Sequence, residues 1–237
     1  MKRQILYHLD TEILAFPPIS YALEEPNGLL ALGGDLSPQR LVSAYQQGIF
    51  PWFSEGEEIM WWSPEPRAVI PIKDIHINRT LKKIINRKNF TVSVNKAFDE
   101  VLAYCADAPF RTENTWIIPS MQLAYQRLHQ LGFAHSIEVW CDDELVGGLY
   151  GVAINGFFSG ESMFYKCANA SKIALVTLST LLKGINVAVI DCQIINPFLA
   201  DMGSIEIPRE EFIAIQQNAM KKSVPIDFWQ PRSLNIL

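Results

Sequence analysis

The sequence predicts an α+β protein in two parts. Residues 1–65 form a small N-terminal domain, and residues 66–237 form a larger domain on a mixed, mainly antiparallel sheet. Three observations carry this. First, the apolar runs HSIEVW, LVGGLYGVAI and FFSGESMFY come one after another, separated only by a CDDE turn and by Asn155-Gly156. Asn-Gly between apolar runs is a strong hairpin signal. Second, a helical pattern, NASKIALVTLSTLLKG, and one more apolar strand, VAVIDCQ, come next. Consecutive meander strands, then a helix, then a strand make an α+β arrangement. Third, the first 65 residues mix turns with aromatic residues, and Pro64 and Pro66 stiffen the joint to the larger domain.

The elements run in chain order. Pro26-Asn27-Gly28 and Gly33-Gly34 read as turns. Ser37 before Pro38 starts a helix, with a hydroxyl N-cap and a proline at the first helical position; it runs to Gln47 and closes at Gly48. The segments GIFPWF and IMWWSPEPR carry too many prolines and glycines for a regular sheet. Ala68 to Ile72 and Phe90 to Val94 read as strands, and Arg79 to Lys88 as a short basic helix. Asn95 caps a helix through Ala106, and Ser120 caps another through Leu131, closed by Gly132. After the meander, Asn169 or Ser171 caps the long helix that Gly184 ends, and Pro208 opens a last helix from Arg209 to Met220.

This order of elements resembles the GNAT-like fold of the acetyl-CoA-dependent N-acetyltransferases. There the cofactor pyrophosphate sits on a glycine-rich turn at the start of the helix after the third meander strand. The corresponding turn here, Tyr165 to Ser171, has no glycine, which points to a different acyl donor.

Composition narrows the function classes. Hydrophobic residues make up 49% and charged residues 19%, enough apolar material for a packed core. With 20 basic and 25 acidic residues, the net charge of −5 excludes a wholly basic nucleic-acid coat protein but leaves room for a local basic patch. The cysteines at 105, 141, 167 and 192 form no CxxC pair and read as reduced core residues of a cytosolic protein. His8, Asp10 and Glu12 interrupt the N-terminus too early for a signal peptide. The longest uncharged stretch, Leu145 to Gly160, is broken by glycines and too short to span a membrane. The expectation is a soluble cytoplasmic monomer.

Chemistry-bearing residues are few. Asp191 and Gln193 stand two apart on a very apolar strand, so both project from one face at its end. They suit an acid/base or amine-orienting pair, or a carboxylate satisfied by backbone amides. Glu161 lies among Phe157, Phe158, Met163 and Phe164. It could pair with an ammonium group, or simply face solvent from its strand. Its apolar neighbours could line a pocket or belong to the core. Arg79, Lys82, Lys83 and Arg87 recur at helical spacing, and Arg79 to Lys88 holds five basic residues and no acid. That face fits a polyanion as well as it fits water. Trp52, Trp61, Trp62 and Trp116 stand beside turns, where such rings stack on bases or plug interfaces. The histidines at 8, 76, 129 and 135 form no ligand pair, so no metal site is expected, and no P-loop, GxSxG or GxGxxG occurs.

Taken together, the stretches EPNGLLALGGDLSPQRLVSAYQQGIFPWF, WWSPEPRAV, TWI, HSIEVW, LVGGLYGV, FSGESMF, NASKIAL and IDCQ resemble the leucyl/phenylalanyl-tRNA–protein transferase family, in the family's order and over nearly the whole chain. The resemblance implies transfer of Leu or Phe, and less readily Met, from aminoacyl-tRNA to the N-terminal Arg or Lys of a protein. The new residue marks that protein for degradation by the N-end rule. No acetyl-CoA, other cofactor or metal is implied. The implied fold is a small N-terminal domain on an acetyltransferase-like domain. Position by position, the resemblance makes Asp191 and Gln193 the catalytic strand and Glu161 a site glutamate. It sets Trp52 and Trp116 near the terminal adenosine and aminoacyl group. Leu149, Phe158 and Leu178 fall on apolar pocket positions, with Leu149 and Leu178 standing where the family pattern has Met and Phe. Arg79, Lys82, Lys83 and Arg87 fall on a basic cluster that guides the tRNA. Two rival readings are an acetyl-CoA-dependent N-acetyltransferase, which the glycine-free turn disfavours, and a non-catalytic adaptor for basic N-termini, which leaves the basic helix without a task.

Overall fold

The computed structural model describes residues 5–87, 89–107 and 115–234. Its first part holds strands β1 (Tyr7–Leu9) and β2 (Leu29–Gly33), helix α1 (Pro38–Gln46), and strands β3 (Phe50–Pro51) and β4 (Met60–Trp62). These strands form a four-stranded sheet ordered β1-β2-β4-β3, with β1 parallel to β2. That corrects the expectation of no regular sheet here. The strands are two to five residues long, so the ladder accommodates Gly33 and Pro51 at strand ends while the other prolines and glycines fall between strands. Trp61, expected beside a turn, is fully buried: its Nε1 donates to the Gly33 carbonyl at 2.9 Å and its ring meets Phe16 edge-on. Helix α1 begins as its sequence dictates, the Ser37 hydroxyl accepting from the Arg40 amide.

The second part continues with β5 (Arg67–Pro71), α2 (Arg79–Asn86), β6 (Thr91–Val94), α3 (Phe98–Ala106) and α4 (Pro119–Gln130). The meander comes next as β7 (Ala134–Cys141), β8 (Glu144–Ile154) and β9 (Phe157–Tyr165), then α5 (Ala170–Lys183) and β10 (Val189–Gln193). Helix α6 (Pro197–Asp201), β11 (Ile205–Ile207), α7 (Arg209–Met220) and β12 (Arg232–Leu234) complete it. One eight-stranded sheet runs β11-β5-β10-β9-β8-β7-β6-β12, and among the described residues only β9 and β10 pair in parallel within it. The mixed, mainly antiparallel sheet is therefore as the sequence predicts.

Two helix starts differ from expectation. Asn95 does not cap α3, whose N-cap position is Ala97. Asn95 sits at φ +53°, and its side chain receives the Ser136 amide and donates to the Trp229 carbonyl, tying β7 to the C-terminal segment. Helix α4 begins at Pro119, one residue before the expected cap Ser120, because proline at the first helical position sets the start. The short β11, β12 and α6 have too few residues to leave a periodic signal.

Alternation along β8 divides the core. Leu149 and Ala153 face α2 and α5, while Tyr150 and Val152 face α3, α4 and the N-terminal sheet. That second layer is continuous with Leu30, Leu41, Tyr45 and Trp61, so the two parts share one packed core. Helix α5 lies tight on β8 because Gly147 has no side chain; a Cβ there would fall 2.4 Å from the Ala170 Cβ. Two of the four histidines pack structurally, His129 stacking on Phe98 at 4.1 Å. His135 stacks on Trp229 at 4.2 Å, and burial, reinforced by His129, holds its imidazole down at about 3. Among the described residues no helix is long and apolar enough to cross a membrane.

Candidate active site

Two β-bulges face each other where β9 meets β10. In β9, Ser162 pairs with Tyr150 and Gly160 with Gly151, so Glu161 is the extra residue. Gly151 makes room for this: a Cβ there would lie 2.2 Å from the Ser159 carbonyl oxygen. In β10, Asp191 pairs with Val69 and Gln193 with Ala68, leaving Cys192 extra and Gln193 at φ +57°. Bulges re-aim side chains and end regular pairing. Between them lies the one register pair joining β9 to β10 among the described residues, Asp191 with Ser159.

A cavity of about 800 Å³ opens beside this junction. Leu149, Met163, Leu175, Leu178 and Ile190 give it an apolar floor, and Trp52, Trp62 and Trp116 line it as well. Trp52 is 45% exposed, and its carbonyl accepts from Trp62 Nε1 at 2.7 Å. Glu161 and Gln193 reach the cavity from the two bulges.

Behind Gln193 lies a fully buried charge network. Arg67 donates to Asp191 twice, Nε to Oδ1 and Nη2 to Oδ2, each at 2.8 Å. Its third donor, Nη1, reaches the Gly48 carbonyl just past α1 at 3.0 Å, and the guanidinium lies over the rings of Phe50 and Phe212. Asp191 also accepts the Gln193 amide at 3.1 Å and the Ser159 hydroxyl at 3.0 Å. Gln193 Nε2 in turn donates to Ser159 Oγ at 2.8 Å. Four donors thus fill the Asp191 carboxylate, and it does not line the cavity.

Glu161, by contrast, does line it, as does Glu57. Tyr125 donates to Glu161 Oε2 at 2.8 Å, and the Tyr45 hydroxyl lies 2.7 Å from that of Tyr125. Burial, with the charge of Asp191 adding, pushes the Glu161 carboxyl up to about 7 against the opposing tyrosine hydrogen bonds. A group poised there suits proton transfer near neutral pH. Cys192 also lines the cavity, but burial and then Asp191 push its thiol up, which removes it as a nucleophile.

Of the residues singled out in the sequence, Glu161, Gln193, Trp52, Trp116, Leu149 and Leu178 converge on the cavity. Phe158 does not: β9 turns it into the core, 1% exposed, against Trp229. Asp191 and Gln193 do not project together from one face as expected: the bulge at Cys192 parts them, and they are linked instead through Ser159 and the bulged backbone. Arg79, Lys82, Lys83 and Arg87 are all exposed on α2 and its C-cap, away from the cavity, while Leu81 and Ile85 face the core. None of the four is in an ion pair with a described residue. Lys88 lies outside the described residues. No cluster of His, Cys, Asp or Glu among the described residues could hold a metal ion.

Sequence reasoning missed Arg67, Ser159, Tyr45 and Tyr125. One signal was present. Arg67 and Asp191 are lone charges in two very apolar strands, and a charge in a buried strand needs a partner. The tyrosines lie 80 residues apart and carry no such signal.

Residues 69–217 match the family described as leucyl/phenylalanyl-tRNA protein transferase, and residues 34–65 match its N-terminal domain. A leucyl/phenylalanyl-tRNA–protein transferase from Colwellia psychrerythraea is 60% identical, over 99% of each chain. One from Idiomarina loihiensis is 50% identical, over 97% of this chain and 98% of that one. One from Escherichia coli is 50% identical, over 97% of each.

Proposed function

The chain belongs to the leucyl/phenylalanyl-tRNA–protein transferase family, and from that premise we propose that it moves Leu or Phe, and less readily Met, from aminoacyl-tRNA to the N-terminal Arg or Lys of acceptor proteins, marking them for degradation. The observation that carries this reading is one cavity lined by the apolar Leu149, Leu175 and Leu178 together with Glu161 and Gln193, which reach it from two bulges.

The chemistry asks little of the protein. The acceptor α-amine attacks the ester carbonyl, the C–N bond forms, and the ester C–O bond breaks. The terminal ribose hydroxyl leaves with a proton, and the attacking ammonium must lose one. An aminoacyl ester is already activated, so no Ser or Cys nucleophile is needed; positioning supplies most of the rate. A free α-amine titrates at about 7.7–8.0. A Glu161 carboxyl at about 7 is therefore a near-matched proton acceptor. Gln193 orients the amine, and Asp191, saturated by its four donors, holds Gln193 from behind as an electrostatic orienter. Leu149 and Leu178 hold the aminoacyl side chain, and Trp52 and Trp116 the terminal adenosine.

In this reading the exposed face of α2, with Arg79, Lys82, Lys83 and Arg87, meets the tRNA backbone. Residues 1–65 and 66–237 act as two domains, the second acetyltransferase-like; the two separate sheets support the division. In this reading the enzyme works in the cytoplasm as a monomer. The test is incubation with labelled Phe-tRNA and Arg-, Lys- or Ala-ended peptides. Label should pass to the first two. Peptide retention without transfer would make the protein an adaptor, and equal labelling of the Ala-ended peptide would overturn the acceptor assignment.

A further inference from the structure

The donor and acceptor inventory around Ser159 fixes the Gln193 side chain. Ser159 is fully buried, and its hydroxyl has one proton. Both groups able to take that proton are carboxyl oxygens: Asp191 Oδ2 at 3.0 Å and, less favourably, Glu161 Oε1 at 3.3 Å. With its proton committed, Ser159 Oγ can meet Gln193 only as an acceptor. Gln193 must then turn its NH₂ inward, where Nε2 lies 2.8 Å from Ser159 Oγ and 3.4 Å from Glu161 Oε1. The amide oxygen is left on the opposite side of a half-buried residue that lines the cavity, and no described residue donates to it.

We propose that Ser159 is a positioning residue that locks the Gln193 amide with Oε1 toward the cavity, where it accepts a hydrogen bond from the incoming α-amine. The Arg67–Asp191 pair completes the lock by holding the acceptor of the Ser159 proton. An amide turned the other way would present NH₂ to the amine, a donor against a donor. Oriented as it is, Oε1 takes one N–H of the amine and aims its lone pair at the ester carbon. This inference rests on the transfer activity proposed above, but its test has an arm that does not.

Protein labelled with ¹⁵N at glutamine side chains resolves the Gln193 NH₂, identified by its disappearance in Gln193→Ala. In the wild type, one of its two protons should be protected from solvent exchange, and Ser159→Ala should abolish that protection. In transfer assays, Ser159→Ala should lower kcat about tenfold with the KM for Phe-tRNA within twofold, and Ser159→Thr, which keeps the hydroxyl, should recover most of it. In a Gln193→Ala background, Ser159→Ala should change kcat no further, because the two act as one unit. Two freely exchanging protons in the wild type, or a full tenfold further loss in the Gln193→Ala background, would overturn the proposal. Should Ser159→Ala not fold, the wild-type spectrum alone decides. Should the wild type transfer nothing, the assigned activity fails, and the spectrum still judges the amide.

Discussion

Replacing Arg67 with Met separates what the buried ion pair does for stability from what it does for the site. Methionine keeps an unbranched apolar stem between Phe50 and Phe212, so ring packing is largely retained. The guanidinium goes, with its two 2.8 Å bonds to Asp191 and its bond to Gly48. Arg67 and Asp191 are 1% and 0% exposed, so no water replaces those donors. Removing one partner of a buried pair costs about 3–5 kcal/mol because the other charge is stranded. For a chain of this size each kcal/mol moves Tm by about 2–4 °C, so Arg67→Met should melt about 6–20 °C lower. Urea denaturation at fixed pH, monitored by far-UV circular dichroism, gives the free energy directly. The double variant Arg67→Met/Asp191→Leu should recover most of the loss, since an apolar pair in place of a buried ion pair is often neutral or stabilising. Its transfer activity should stay low, because the Gln193 amide and Ser159 hydroxyl no longer have their acceptor. A single variant melting within 2 °C of the wild type would refute the reasoning, as would a double variant no more stable than the single.

Three further outcomes are expected. Glu161 titrates at about 7 in the folded chain against 4.5 when unfolded, so between those pH values the folded state binds the extra proton. Stability should fall as pH rises through that window, by roughly 3 kcal/mol in all. Glu161→Gln should flatten both this slope and the rise of kcat through pH 7; pH profiles unchanged by the variant would remove Glu161 as the titrating group. Lys82→Ala/Lys83→Ala should weaken tRNA-Leu and tRNA-Phe binding alike and flatten its salt dependence by roughly 0.7–0.9 for each phosphate no longer neutralised. Transfer from an aminoacyl-adenosine donor should be unchanged, and equal losses on both donors would tie α2 to folding instead. Leu178→Trp should fill the apolar floor and cut Phe transfer more than Leu transfer, by about tenfold or more. Matched losses, with an unchanged melting temperature, would take Leu178 out of the aminoacyl pocket.

Local chemistry made part of the fold legible in the sequence. The Asn155-Gly156 hairpin, the Ser37-Pro38 start of α1 and the Pro208 start of α7 depend on a few adjacent residues, and each stands where those residues put it. The N-terminal sheet was not legible. Its strand β1 pairs in parallel with β2 from Tyr7 to Ala31, across a gap that no local pattern encodes. The site was legible as residue types but not as geometry. A period of two puts Glu161 on a regular face, where it could equally be a solvated residue. The bulge instead turns it against Tyr125, 36 positions earlier in the chain. Phe158 errs the opposite way: β9 carries it into the core against Trp229 while the bulged Glu161 turns toward the cavity.

The N-terminal part is built into this site rather than set beside it. Tyr45 on α1 extends the hydroxyl chain that ends on Glu161, and the Gly48 carbonyl just past α1 takes the third donor of Arg67. Gln216 on α7 donates to the Tyr45 carbonyl at 2.8 Å, and Phe212 on the same helix covers the guanidinium. One turn of chain, Tyr45 to Gly48, therefore touches both the group that titrates near neutrality and the pair that holds Gln193. An enzyme acting on an activated ester needs its two substrates held rather than a strong nucleophile. Holding requires rotamers fixed from behind. Here that support comes from residues far apart in sequence, Tyr45, Arg67, Tyr125, Ser159 and Asp191. For that reason, strand and helix patterns alone could single out Asp191 and Gln193 but not the residues that hold them.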